Sequence, residues 1–519
     1  MTNTKYIWLL VIFLGFAACN DIEDVSRYEI EVTPELSAGT VDFSSYVALG
    51  ASFSAGFTDS ALFISSQTNS FPNMLSQQFS KIGGGTFTQP LMNDNIGGIA
   101  YGGVQLAGST LGPRLVFGGS GPVALSTIIG PVTSTTDLAV NNLKGPFNNM
   151  GVPGAKSYHL LFNGYGNIEN LSTKTANPYF IRMASSPTAT MLGDAMAKNP
   201  TFFTLSEIGG NDVLGYALSG GDGTDVITPS SGPVGVGFDA TFSYLVTQLT
   251  SNGAKGVVTN VPYITDLPHF TTVPYNALAP ALIGGSANIS ALNAQLYGPL
   301  NNIFSAYGEP NRVKLLSATA PNPLLINDEN ATNRSAEITA ALTPTLGAQT
   351  ATAFGAIFGK ARQATAADLL VLPLSTEIGK TISGAPSPVN INGVTYPLED
   401  KWVLIPSEQA EIAAATDAYN TTIASIATSN ANIALVNLNT ILQELASTGI
   451  SFDAFTMNAN LVTGGAIGLD GIHLTARGYA YMANKFLEAI DAKFGSNFIA
   501  SGNVVKAGDY PTNYSPLLN

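Results

Sequence analysis

The sequence predicts an α/β protein built on a parallel sheet. Three observations carry this: short unbroken apolar runs that stop at Gly or Pro, helical apolar stripes between them, and the alternation of the two along the chain. Tyr46-Val47-Ala48-Leu49 ends at Gly50, as a buried strand entering a tight turn does. Phe202 to Ile208 runs into Gly209-Gly210-Asn211-Asp212, Gly256 to Val261 closes at Pro262, and Ile433 to Leu438 is the fourth run. Before the third run, Phe238, Phe242, Leu245, Val246 and Leu249 recur at steps of three and four, which makes one apolar helix face. Ser407 with Glu408 and Glu411 marks a helix start, and Ile412, Tyr419, Ile423 and Ile426 share a face ahead of the fourth run. Such sheets bind ligands outside the carboxyl ends of their strands, so the turns after these runs are where chemistry is expected.

Two stretches break the rhythm, residues 61 to about 140 and about 271 to 400. Both are rich in Gly, Pro, Ser, Thr and Asn, with weak periodicity and no internal repeat. Lengths like these are expected to be insertions with structure of their own rather than bare loops. They read as decorations that wall or cap a site on one core spanning 41–500, with a C-terminal tail at 501–519.

Composition narrows the chemistry. The 519 residues can bury a large core, yet charged residues make up only 11%, against roughly 25% in ordinary domains. With Lys+Arg 21, Asp+Glu 35 and no basic stripe, electrostatic capture of nucleic acid is excluded. A single cysteine, Cys19, rules out an intrachain disulfide and a thiolate zinc site, and no metal or other cofactor is expected. The three histidines, His159, His269 and His473, are the candidates for a general base near neutral pH.

The amino-terminal residues suggest a compartment. Lys5 precedes an apolar run from Tyr6 to Ala18, shorter than the about 20 residues a membrane span needs, and it reads as a signal-peptide core. Phe16-Ala17-Ala18-Cys19 resembles the bacterial lipobox, with Phe16 in place of the usual Leu. That resemblance implies a signal peptide over 1–19, lipidation of Cys19 and an exported, membrane-anchored protein. Asp21, Glu23 and Asp24 open a flexible tether expected over 20–40, and its acidity points to the outer membrane, on its periplasmic or surface face.

Four short segments hold candidate chemistry. Gly50-Ala51-Ser52-Phe53 follows the first strand, where a sharp turn would present the Ser52 hydroxyl at the sheet edge. Asn149-Met150-Gly151-Val152-Pro153-Gly154 offers a glycine whose N–H can approach a substrate oxygen. In Gly209-Gly210-Asn211-Asp212 a side-chain amide sits at a strand's carboxyl end. Leu469-Asp470-Gly471-Ile472-His473 sets a carboxylate three residues from an imidazole, close enough to bind one ring nitrogen and leave the other free to take a proton. Singly, each also reads as a turn or a helix cap.

Together, in this order, the four segments resemble the SGNH, or GDSL, family of serine hydrolases. The resemblance implies a three-layer, flavodoxin-like core with the two insertions added to it. It makes Ser52 the nucleophile, His473 the general base and Asp470 the group that orients the base. Ser52 N–H, Gly154 N–H and the Asn211 side chain would form the oxyanion hole. The implied activity is hydrolysis of carboxylic esters of lipid or acylated carbohydrate, with no cofactor. Carbohydrate O-deacetylation by the same residues is the alternative. The family usually carries Asp before the serine, where this chain has Ala51. That departure keeps open a non-catalytic lipoprotein that binds glycan or a partner.

Overall fold

The computed structural model describes residues 33–140 and 142–518; the lipobox and Cys19 lie outside the described residues. Its centre is a five-stranded parallel sheet of β1 (Tyr46–Gly50), β2 (Asn149–Gly151), β3 (Phe202–Ser206), β4 (Lys255–Thr259) and β5 (Ile433–Val436). The spatial order is β2-β1-β3-β4-β5. Successive strand residues point to opposite faces, and every residue of β1 and β3 is buried, so the sheet is covered on both sides. That is why these strands read as continuous apolar runs rather than alternating ones.

The order reverses between β1 and β3. The chain moves from β1 outward to β2, then returns past β1 to build the other half, which opens a crevice at the strand ends. Register levels those ends: Gly50 pairs with Gly151 on one side and Ser206 on the other. The Ser52, Gly154 and Asn211 segments therefore leave the sheet at one edge.

The helices that matter to the site are α1 (Ser52–Ala55), α2 (Phe71–Ser80), α3 (Gly210–Leu218), α4 (Phe238–Thr250), α5 (Pro406–Ser429), α6 (Leu438–Ser447) and α7 (Ala476–Phe494). Phe202 packs against Phe79 of α2 and Phe494 of α7, with ring centroids 5.5 and 6.5 Å away. Phe238 of α4 stacks at 4.1 Å on Tyr419 of α5, joining the two stripes that the sequence predicts. α5 starts at Pro406, one residue ahead of the expected Ser407, and Glu408 accepts a 2.8 Å bond from the Ile405 N–H. Among the described residues no helix is long and apolar enough to cross a membrane.

Three expected boundaries move. The first stretch was expected to be an insertion from residue 61, but α2 lies inside it and belongs to the core, with Phe71 stacked at 4.8 Å on Phe486 of α7. The tether does not extend to residue 40: Thr40 N–H bonds Phe494 O at 3.0 Å and Ser37 N–H bonds Asn497 Oδ1 at 2.6 Å. The last residues fold back as well, since Tyr514 packs edge-on against Phe63 and Arg114 donates to Ser515 O. The second stretch does carry structure of its own, including a helix pair at Ser335–Leu346 and Ala348–Phe358.

Candidate active site

β1 ends at Gly50, and no side chain fits there, since a Cβ would meet Ser206 O of β3 at 2.8 Å. The chain then turns sharply into α1, which places Ser52 at the first helical position, 7% exposed. Among the described residues neither the Ser52 hydroxyl nor the Ser52 N–H has a hydrogen-bond partner, so both are available to a ligand.

The turn at Ala51 is bonded to a carboxylate from the neighbouring strand. Glu207, directly after β3, accepts the Ala51 N–H at 2.6 Å and the Ser54 N–H at 3.0 Å through Oε1, and the Ser54 hydroxyl at 3.3 Å through Oε2. Its φ of +50° is rare for a residue with a side chain, and that strain is held by these bonds. Burial pushes the Glu207 carboxyl up to about 7 against those hydrogen bonds. Sequence reasoning passed over Glu207; the available signal was a lone acid closing an otherwise apolar run.

The second and third segments are laced together. Asn211, in the first turn of α3, donates through Nδ2 to Ala155 O at 2.9 Å, which leaves its other amide proton free. Asp212 accepts both the N–H and the hydroxyl of Ser157, at 2.9 and 2.7 Å. Gly154 adopts φ +80°, which favours glycine, and its N–H has no partner among the described residues.

Asp470 and His473 meet on the loop before α7. His473 Nδ1 lies 2.9 Å from Asp470 Oδ2, while Oδ1 accepts the N–H of Ile472 and of His473, each at 2.9 Å. Oδ2 also accepts the Ser60 N–H at 2.8 Å. Burial alone would raise this carboxyl, but the imidazole and these donors hold it well below the usual carboxylate range. An ionised Asp470 needs a proton on Nδ1, so Nε2 of neutral His473 is the acceptor. The ring packs on Phe57, centroids 4.6 Å apart, and edge-on against Phe53 at 5.9 Å, the residue after Ser52. No hydrogen bond joins Ser52 to His473; such contacts are commonly loose without substrate.

His269, given no role from sequence, supports this loop. Its N–H donates to Gly471 O at 3.0 Å and its Nδ1 lies 3.2 Å from Asp470 O. Gly471, at φ +74°, has no room for a Cβ, which would meet His269 N at 2.8 Å. His159 caps a short helix instead, accepting the Lys156 N–H at 3.0 Å through Nδ1 and stacking on Tyr165. Burial and the Lys156 charge push it down to about 4, so it stays neutral.

Ser52, Gly210 and Asn211 line one end of a cavity. Neither expected insertion contributes a lining residue to it. They do touch the segments that carry the site: Leu115 N–H bonds Asp59 O at 2.7 Å, and Leu372 lies beside Gly471. The expectation of insertions walling this cavity is therefore corrected. No family model matches the chain, and no curated protein matches it.

Proposed function

We propose that the chain is an exported serine hydrolase of the SGNH, or GDSL, type, with a three-layer, flavodoxin-like core, that cleaves carboxylic esters. The observation that carries this is the Asp470–His473 pair, whose imidazole packs at 5.9 Å on Phe53, the residue next to Ser52, while the Ser52 hydroxyl has no hydrogen-bond partner among the described residues. The strand order, with its crevice beside β1, supports the core assignment.

In this reading His473 Nε2 takes the Ser52 proton as Oγ attacks the ester carbonyl. Asp470 keeps the other ring proton in place and stabilises the imidazolium. The carbonyl oxygen becomes an oxyanion, received by Ser52 N–H, Gly154 N–H and the free Asn211 amide proton. Losing one such donor typically costs about 100- to 1000-fold in rate. His473 then protonates the departing alcohol, and a water repeats the cycle on the acyl-enzyme. Glu207 bears on the doubt raised by Ala51, because the turn retains a carboxylate.

A fluorophosphonate probe tests the reading. Labelling of the wild type, lost in Ser52→Ala with an unchanged thermal midpoint, supports it; labelling that survives in the variant removes Ser52 as nucleophile. A wild type that the probe does not label favours the glycan- or partner-binding alternative. Anchoring through Cys19 belongs to the same proposal, and metabolic labelling with an alkynyl fatty acid, compared with Cys19→Ser, tests it separately.

A further inference from the structure

The cavity that begins at Ser52 continues away from it between α6, the strand pair Ile450–Phe452 and Phe455–Met457, and α7. Its polar side chains, Ser52, Glu207 and Asn211, stand where β1 and β3 end, and the rest of the wall is almost wholly apolar. On α6 the wall is a stripe at Leu438, Ile441, Leu442 and Leu445, the i, i+3, i+4, i+7 spacing of one helix face. At 1.5 Å per residue that stripe runs about 10 Å. Ile467 and Met482 face it.

An amphipathic helix normally seals its apolar face against other side chains, because apolar lining without partner atoms forfeits their contacts. Here that face is buried in the core at Leu438, Leu442 and Leu445 and borders the cavity as well. Such a cavity gives water few polar partners and favours an apolar guest.

We propose that this cavity is an acyl-chain pocket and that the substrates are esters of medium- to long-chain fatty acids, an inference that rests on the hydrolase reading. The acyl side, rather than the alcohol, follows from two points. The pocket is lined by Ser52 and Asn211, two of the three groups proposed to receive the oxyanion, where the carbonyl must sit. His473, which must protonate the leaving alcohol, is not itself among the lining residues, although Ile472 and Leu474 on either side of it are, and the alcohol is assigned to the side of its ring away from the cavity. An acetyl group would leave the Leu442 and Leu445 region empty, which sets this pocket apart from that of a carbohydrate deacetylase.

Nitrophenyl esters from acetate to palmitate test it, with wild type, Leu442→Trp and the milder Leu442→Phe. Each methylene taken into the pocket should raise kcat/KM about fourfold, on the order of a hundredfold from butyrate to octanoate. Leu442→Trp should remove most of that gain, with a larger loss on octanoate than on acetate, and an unchanged thermal midpoint reports that the variant is folded. Should it not fold, Leu442→Phe gives the same pattern with a smaller loss. A flat chain-length profile in an enzyme that turns over acetate overturns the pocket and spares the hydrolase. So does equal loss on acetate and octanoate, or a preference set by the alcohol in acetates of long-chain alcohols. If no ester is cleaved and the fluorophosphonate does not label, the hydrolase reading fails, and calorimetric titration with dodecanoate decides the pocket alone. Binding that Leu442→Trp abolishes supports the pocket, and absence of binding overturns it.

Discussion

Two sets of buried or half-buried carboxylates meet opposite fates in this molecule. Asp470 receives four N–H groups, those of Ser60, Ile472 and His473 and the imidazole Nδ1, and stays an anion. Glu329, Asp400 and Glu408, beside the start of α5, face one another instead, with oxygens within 4.8 Å. Glu329 Oε2 and Asp400 Oδ1 are buried with no hydrogen-bond partner. Burial first, then the neighbouring charges, push Asp400 up to about 7 and Glu408 up to about 8. Glu207 and Asp59 accept backbone N–H groups, as Asp470 does, yet burial pushes each up to about 7, as high as Asp400. Only at Asp470, which faces an imidazole as well as N–H groups, do the partners outweigh the burial that raises Asp59, Glu207, Asp400 and Glu408. Of these five carboxylates only Asp470 is held below its usual range, which keeps the charge that its proposed role of orienting a base requires.

The strongest way to break this contrast is Asp470→Asn. The amide has one acceptor oxygen where four donors converge, and its NH2 facing Nδ1 would favour the wrong tautomer of His473. We expect kcat/KM on nitrophenyl butyrate to fall about 10,000-fold. A fall of less than tenfold would take Asp470 out of the reaction. Glu207→Ala is next in size. It leaves the Ala51 and Ser54 N–H groups buried without acceptors, at about 1–3 kcal/mol each, so unfolding free energy should drop by roughly 2–6 kcal/mol and kcat with it. Glu207→Gln keeps an acceptor oxygen and should retain most of both, as urea unfolding and steady-state rates would report.

Local features of the site were legible in the sequence, and long-range ones were not. Asp470 and His473 are three residues apart, so their contact needed only one loop. Strands β1, β3, β4 and β5 are legible because both their faces are buried. β2 is not, being three residues without an apolar run, held by register to β1 and by Asn148 Nδ2 on Tyr46 O and Asn149 Nδ2 on Ser54 O. Glu207 and His269 reach the site across long separations that no local pattern encodes. The stripe of α6 was present in the letters, yet periodicity reports only that a face is apolar, not whether it meets side chains or a cavity.

The smallest expected effect sharpens the comparison through pH. Glu408 titrates near 8 when folded, above the about 4.3 of a free Glu side chain, so its contribution to stability is whole below that lower value. As pH rises through 8 the contribution is lost, because the unfolded chain has already released a proton that the folded one still holds. Asp470 has the opposite sign. Its folded pKa is depressed, so its contribution is present above about 3.9 and is lost as pH falls below that value. The urea midpoint should therefore peak in weak acid and decline on both sides. Glu408→Gln retains an acceptor for the Ile405 N–H and has no proton to lose, so it should lift the alkaline limb alone. Discounted for the solvent that reaches the cluster, the gain should be about 1 kcal/mol at pH 8.5 and near zero at pH 5. Parallel wild-type and variant curves across that range would mean that the cluster is not what holds the proton, and the contrast with Asp470 would then rest on something other than the carboxylates facing one another.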